Sequence, residues 1–175
     1  MASFWENLQV DNHEMSVYSS IPEGSGPFPA VLIAHPASGV GEFTQSIADR
    51  LAKAGFVAVA MDLFHRVTED MTADGTAKNA FLDDIQIMAD INTTVDWLRS
   101  HDAIDGDRIG VTGFCMGGRI AWLAAANNPH FKAVAPYYGG NLWVARGGAS
   151  VSPHDQMGSI NCPMLFHFGE VDENP

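Results

Sequence analysis

The sequence is poor in cysteine and in basic residues. Its two cysteines, Cys115 and Cys162, are too few to staple a domain of this length, and no C-x-x-C or H-E-x-x-H spacing sets out a metal site. The thiols are read as free, and neither a metal nor another cofactor is expected. Lysine and arginine together number 9 against 21 aspartates and glutamates, a net charge of -12. So acidic a chain repels phosphate backbones and anionic lipid, which excludes nucleic acid and membrane from the expected partners. No apolar run approaches the ~20 residues needed to span a bilayer. The opening Met1-Ala-Ser-Phe-Trp-Glu6 lacks the basic and then apolar pattern of a secretory leader. A cytoplasmic chain is expected. There is no internal repeat and no low-complexity tract.

What is present is enough apolar material for one core. Of 175 residues, 46% are hydrophobic, which suits a single domain over 1–175. Met15, Val17, Ser19 and Ile21 alternate as in a half-buried strand, expected as an antiparallel edge, ended by Pro22-Glu-Gly-Ser-Gly-Pro27. Ala30–Ala34 and Phe56–Met61 are continuous apolar runs of buried-strand length. Between them, Phe43, Ile47, Ala48, Leu51 and Ala54 recur at helical spacing up to a stop at Gly55. Phe81, Ile85, Met88, Ile91, Val95 and Leu98 predict a long helix over about 78–100. Ala133–Ala135 and Pro163–Phe168 read as later strands. Residues 139–161 have no clean period and read as a binding loop or cap.

The chain is organised around Arg108–Trp122. A β-branched run (Ile109, Val111, Thr112) turns sharply at Gly113-Phe114-Cys115-Met116-Gly117 and continues into an Ala/Leu/Trp run of helical character. A strand, a tight elbow and a helix in that order form a nucleophile elbow, where the residues two before and two after the nucleophile must be small. Cys115 occupies the reactive position. A Cys buried as a small hydrophobe is the alternative.

Alternating buried strands and helices imply an α/β fold with a mainly parallel sheet and helices on both faces, binding ligands beyond the carboxyl ends of its strands. The His35 loop, the Cys115 elbow and Asp172 all fall at such ends.

Gly113-Phe-Cys-Met-Gly-Gly118, Met61-Asp-Leu-Phe64, Pro136-Tyr-Tyr-Gly139 and Phe168-Gly-Glu-Val-Asp-Glu-Asn-Pro175 together resemble the dienelactone hydrolase (carboxymethylenebutenolidase) family of α/β-hydrolases, over nearly the whole chain. The resemblance implies the α/β-hydrolase fold and cofactor-free hydrolysis of small esters or lactones by a Cys-Asp-His triad. Cys115 would be the nucleophile and Asp172 the acid.

The physical chemistry of the residues agrees with those roles. A helix N-terminus favours the Cys115 thiolate. The oxyanion of acyl transfer needs two backbone N–H groups, expected from Met116 and from Ala37 in the loop after the early strand. Asp172 would orient a histidine and stabilise its cation, although aspartate is also common in turns. His35, Tyr137, Tyr138 and Trp143 are substrate-contact candidates, with structural or core packing roles as the alternative. Arg119 is read as structural.

Two departures from the family pattern stand out. Lactone-cleaving members resemble one another in a Glu in the loop after the early strand, where this chain has His35-Pro36. The triad order of nucleophile, acid, histidine also finds no histidine after Asp172, since His13, His35, His65, His101, His130, His154 and His167 all precede it. His167 is expected to face sheet packing. The expectation is a C-terminally incomplete domain, lacking the final strand, the histidine loop and the last helix. A non-catalytic α/β-hydrolase-like small-molecule binder, or a redox-sensitive thiol protein, is the alternative function.

Overall fold

A computed structural model describes residues 1–173. Asn174 and Pro175, the end of the Phe168–Pro175 stretch quoted above, lie outside the described residues. In chain order the elements are β1 (Ala2–Val10), β2 (His13–Ile21), β3 (Phe28–Ala34), α1 (Glu42–Lys53), β4 (Val57–Met61), α2 (Asp84–Ser100), β5 (Ile104–Phe114), α3 (Met116–Asn127) and β6 (Phe131–Tyr137), with short 3-10 turns at Asp70–Thr72, Lys78–Phe81 and His154–Ser159.

The strands form one sheet in the order β1-β2-β4-β3-β5-β6. The β1-β2 and β2-β4 pairs are antiparallel, and the rest are parallel. This is the mainly parallel α/β sheet expected. Its register sets Ala34 opposite Met61 and Gly113, and Gly113 opposite Pro136. Four strands therefore end level, and the loops leaving them share one rim.

Alternation along the strands divides the core. Val57, Val59 and Met61 of β4, with Ala30, Leu32 and Ala34 of β3, pack with Ile87, Ile91, Val95 and Leu98 of α2 and Ile120, Leu123 and Ala124 of α3. Ala58, Ala60 and Ile33 point the other way, toward Ala48, Ile47 and Leu51 of α1. The small alanines allow α1 to approach the sheet closely. On that face α1 lies over β4, β2 and β3, whereas Thr112, Phe114, Ala135 and Tyr137 of β5 and β6 border an open groove of 840 Å³. Among the described residues no helix is long and apolar enough to cross a membrane.

Three local expectations differ from the structure, and one strand was not expected. β2 is not the edge, because β1 pairs with it along its whole length. The β1 segment escapes a pattern search because its consecutive, largely exposed Phe4 and Trp5 break a period of two. The helix expected over 78–100 begins at Asp84. Leu82 and Asp83 are extended, and the Asp83 carboxylate accepts the Ile85 and Gln86 N–H groups at 2.8 and 3.3 Å. This is an aspartate N-cap that the continuing apolar period masks. Residues 163–168 run parallel to β6 through two isolated bridges, Val134 with Met164 and Tyr137 with His167, rather than a continuous strand. Leu165 there is 63% exposed, so only one side of the segment is packed.

Candidate active site

The elbow has the geometry that its glycines require. Cys115 lies between β5 and α3 with φ 56° and ψ -120°, and it is exposed. Its N–H donates to the Tyr137 carbonyl at 3.0 Å, and its own carbonyl accepts the Gly118 N–H at 2.9 Å. A β-carbon at Gly113 would strike the Gly117 carbonyl, and one at Gly117 would strike the carbonyl of Ala34. Gly118 and Gly139, which close two of the motifs quoted above, interlock in the same way. A side chain at Gly118 would meet the Tyr137 carbonyl, and one at Gly139 the Arg119 amide. A bare backbone at four positions is what lets the β3 loop, the elbow and the end of β6 converge.

Met116 opens α3, so its N–H has no carbonyl within the helix to bond. The loop bearing Ala37 leaves β3 beside it, since the Ala34 and His35 carbonyls lie against Gly117. Ala37 is exposed within a turn closed by Gly39 N–H on the Pro36 carbonyl at 2.9 Å. Thr44 steadies that turn by donating to the Gly39 carbonyl at 3.1 Å.

His35 serves the framework. It is fully buried, and Nε2 accepts the Leu63 N–H at 3.1 Å, so Nδ1 carries the proton and donates it to the Pro36 carbonyl at 2.7 Å. Burial pushes its pKa below the ordinary value, against smaller opposing effects of the Pro36 carbonyl and Asp62. A neutral ring with both nitrogens engaged has nothing left for a ligand. The expected substrate contact gives way to a tie between the loops after β3 and β4.

The aromatic candidates separate. Tyr137 stacks between Phe114 (centroids 4.7 Å apart) and His167 (4.3 Å, planes 7° apart), and Phe43 meets Phe114 edge-on at 5.1 Å. These rings form a column across β5, β6 and the 163–168 segment, with Tyr137 bordering the α1-side groove. Tyr138, at φ 39° and 45% exposed, is 6.4 Å from the Phe114 ring. Trp143 is exposed and stacks on His154 at 4.9 Å. Asp172 is exposed in a turn closed by its N–H on the Gly169 carbonyl at 3.1 Å.

The large groove does not include Cys115, and most of its lining side chains are apolar. Cys115, Met116, the Ala37 loop and Tyr137-Tyr138-Gly139 meet instead at the carboxyl rim of the sheet. Among the described residues no hydrogen bond joins a histidine to Cys115. His65 is engaged with Asp90 at 3.1 Å, and His101 accepts the Ala103 N–H at 3.1 Å. No group of three or more His, Cys, Asp or Glu side chains among the described residues is disposed to hold a metal ion.

A mainly parallel sheet with a cysteine on a strand-to-helix elbow at its carboxyl rim is the architecture of an α/β-hydrolase, and comparison with known proteins refines the class. Residues 15–174 match the model of the dienelactone hydrolase family, and the chain belongs to that family. A Methylorubrum extorquens protein whose name assigns it to the carboxymethylenebutenolidases is 32% identical over 171 residues, 95% of this chain and 59% of that protein. A Bradyrhizobium protein, named as a lactonase of 2-oxo-3-(5-oxofuran-2-ylidene)propanoate, is 31% identical over 98% of this chain and 71% of its own. The crystal structure of a Klebsiella pneumoniae protein named as a dienelactone hydrolase superposes with a TM-score of 0.82 at 28% identity, covering 99% of this chain and 75% of that one.

Proposed function

We propose that the protein is a cysteine-dependent hydrolase of small carboxylic esters or lactones. The observation that carries this reading is the exposed Cys115 at φ 56° on the N-terminus of α3, within a chain of the dienelactone hydrolase family. The Cys115 thiolate attacks the substrate carbonyl, and the N–H groups of Met116 and Ala37 stabilise the resulting oxyanion. Collapse forms a thioester and releases the leaving oxygen, which in a lactone stays tethered to the acyl group. The lactone-directed names of the relatives favour cyclic enol esters, whose enolate leaves more readily than an alkoxide. Water then cleaves the thioester and restores the thiol. Neither step calls for a metal or a nucleotide.

Thiol deprotonation and water activation need a general base. In this reading it is a histidine oriented by Asp172. The hydrogen bonds of His35, His65 and His101 commit those three rings elsewhere.

An activated aryl ester tests the scheme. The protein should acquire one acyl group, located on Cys115 by mass spectrometry. Cys115→Ala should acquire none, and acylation should need no added metal. Turnover surviving Cys115→Ala, or lost to a chelator, would overturn the covalent scheme. Reversible oxidation of the exposed Cys115 without any acylation would favour a redox-sensitive thiol.

A further inference from the structure

Arg119 is the most conspicuous group that the proposed chemistry leaves unused. It stands one helical turn after Cys115, its N–H reaches the Cys115 carbonyl at 3.4 Å, and its side chain is fully buried. The guanidinium meets the Asp84 carboxylate side-on, with Nη1 donating to Oδ1 at 2.7 Å and Nη2 to Oδ2 at 2.9 Å. Its other donations leave the helices. Nε donates to the Asn141 carbonyl at 3.2 Å, and Nη2 also donates to that of Val144.

The acidic side of the pair grips the same loop. Asp84 Oδ2 accepts the Arg146 N–H at 2.9 Å, and the Asp84 N–H donates to the Arg146 carbonyl at 3.3 Å. Asp83, while capping α2, accepts the Gly148 N–H at 2.6 Å. Gly147, at φ 63°, has no room for a side chain against the Asp83 carboxylate. Residues 141–148 contain no helix or strand of their own, yet backbone groups at 141, 144, 146 and 148 are fixed to the start of α2 and the first turns of α3.

Apolar side chains could fill this space with less desolvation than two buried charges require, so packing alone does not account for an arginine and an aspartate here. What the charged pair adds is direction. A planar fork with five donors can hold a carboxylate and two loop carbonyls at once, which an apolar pair cannot do. The segment it holds follows Tyr137, whose carbonyl binds the Cys115 N–H, and Gly139, which abuts Arg119 itself. Exposed Tyr138 and Trp143 project from that segment.

We propose that Arg119 and Asp84 are a positioning pair that fixes the 138–144 segment as one wall of the Cys115 site and thereby sets the size of acyl group admitted. This rests on Cys115 being the reactive centre, and its test does not require hydrolysis. Alkylation of Cys115 is followed with a small reagent, iodoacetamide, and a bulky one, an N-aryl maleimide, in the wild type and in Arg119→Met/Asp84→Leu, which removes both charges together. Circular dichroism monitors the fold. Releasing the wall should raise the bulky-to-small rate ratio by about tenfold or more, a change that a misplacement of ~1 Å can produce. Arg119→Lys keeps the charge and loses the fork, so it should shift the ratio in the same direction. It also supplies the reading if the double variant does not fold.

An unchanged or lowered ratio in a folded variant would overturn the proposal and leave the pair purely structural. If no acylation by esters is seen but the ratio rises, the hydrolase reading fails and the positioning pair stands. If esters do acylate Cys115, preference between short and long acyl chains should relax in parallel.

Discussion

The α-carbon of Gly117 lies against the backbone carbonyl of Ala34, with no space for a methyl group between them. That contact joins the first turn of α3 to the end of β3, and so couples Cys115 to the loop that carries Ala37. Gly117→Ala should lower stability by about 3 kcal/mol or more, the range of steric insertions that backbone cannot relieve. Gly41→Ala is the control, since nothing lies within 4 Å of its added carbon. Urea denaturation of both variants checks this, and similar midpoints would refute the coupling.

Cys115 holds a backbone conformation that costs a residue with a β-carbon ~1–3 kcal/mol. Cys115→Gly should therefore gain about 1 kcal/mol of stability by relieving that strain, and it should lose all esterase activity. A variant less stable than the wild type would mean that the elbow is unstrained.

Acid should weaken the fold through His35. Its folded-state pKa lies below the ordinary value near 6.5, chiefly because burial disfavours the cation. Below about pH 6.5 the unfolded chain takes up a proton that the folded chain refuses, so stability falls as pH falls, by up to about 1.4 kcal/mol per unit until the folded-state pKa is reached. His35→Gln should flatten this slope. Denaturation series at about pH 7, 6 and 5 measure it, and parallel losses in both proteins would exclude His35 as the source.

The two thiols should separate by pH. Burial raises the Cys162 pKa, against a smaller lowering from Lys132, so its thiolate appears only at more alkaline pH than an ordinary thiol's. Exposed Cys115 should be alkylated first near neutrality, with Cys162 following only as pH rises. Peptide mapping after brief iodoacetamide treatment decides it. Earlier labelling at Cys162 would contradict the assignment.

The buried strands and the elbow were legible because each is a local pattern. Ala30–Ala34 and the glycines at 113 and 117 state their roles within a few residues. Arg119 did not, because its partners are Asp84 on another helix and carbonyls in a loop without periodicity. His35 stayed ambiguous for the same reason. A histidine closing a strand reads equally as a substrate contact or a structural residue, and only its bond from Leu63, distant in sequence, decides for the second. The extent of β1 and the start of α2 were hidden by apolar neighbours whose spacing imitated or broke the periods used to find them.

The strand order has a kinetic consequence. β4 inserts between β2 and β3 although it follows both in the chain. The β1-β2 hairpin can form alone, but β3 cannot join it, because the strand that bridges them has not yet been made. At ~5–20 residues per second, ribosomal synthesis leaves a gap of about one to five seconds between completing β3 and beginning β4. Through that gap the nascent chain carries a two-strand ribbon and an apolar strand with no partner, a state prone to mispairing with other chains. Arrival of Val57–Met61 closes this window for the first half of the sheet, and the helix that precedes β4 gains its packing surface in the same event.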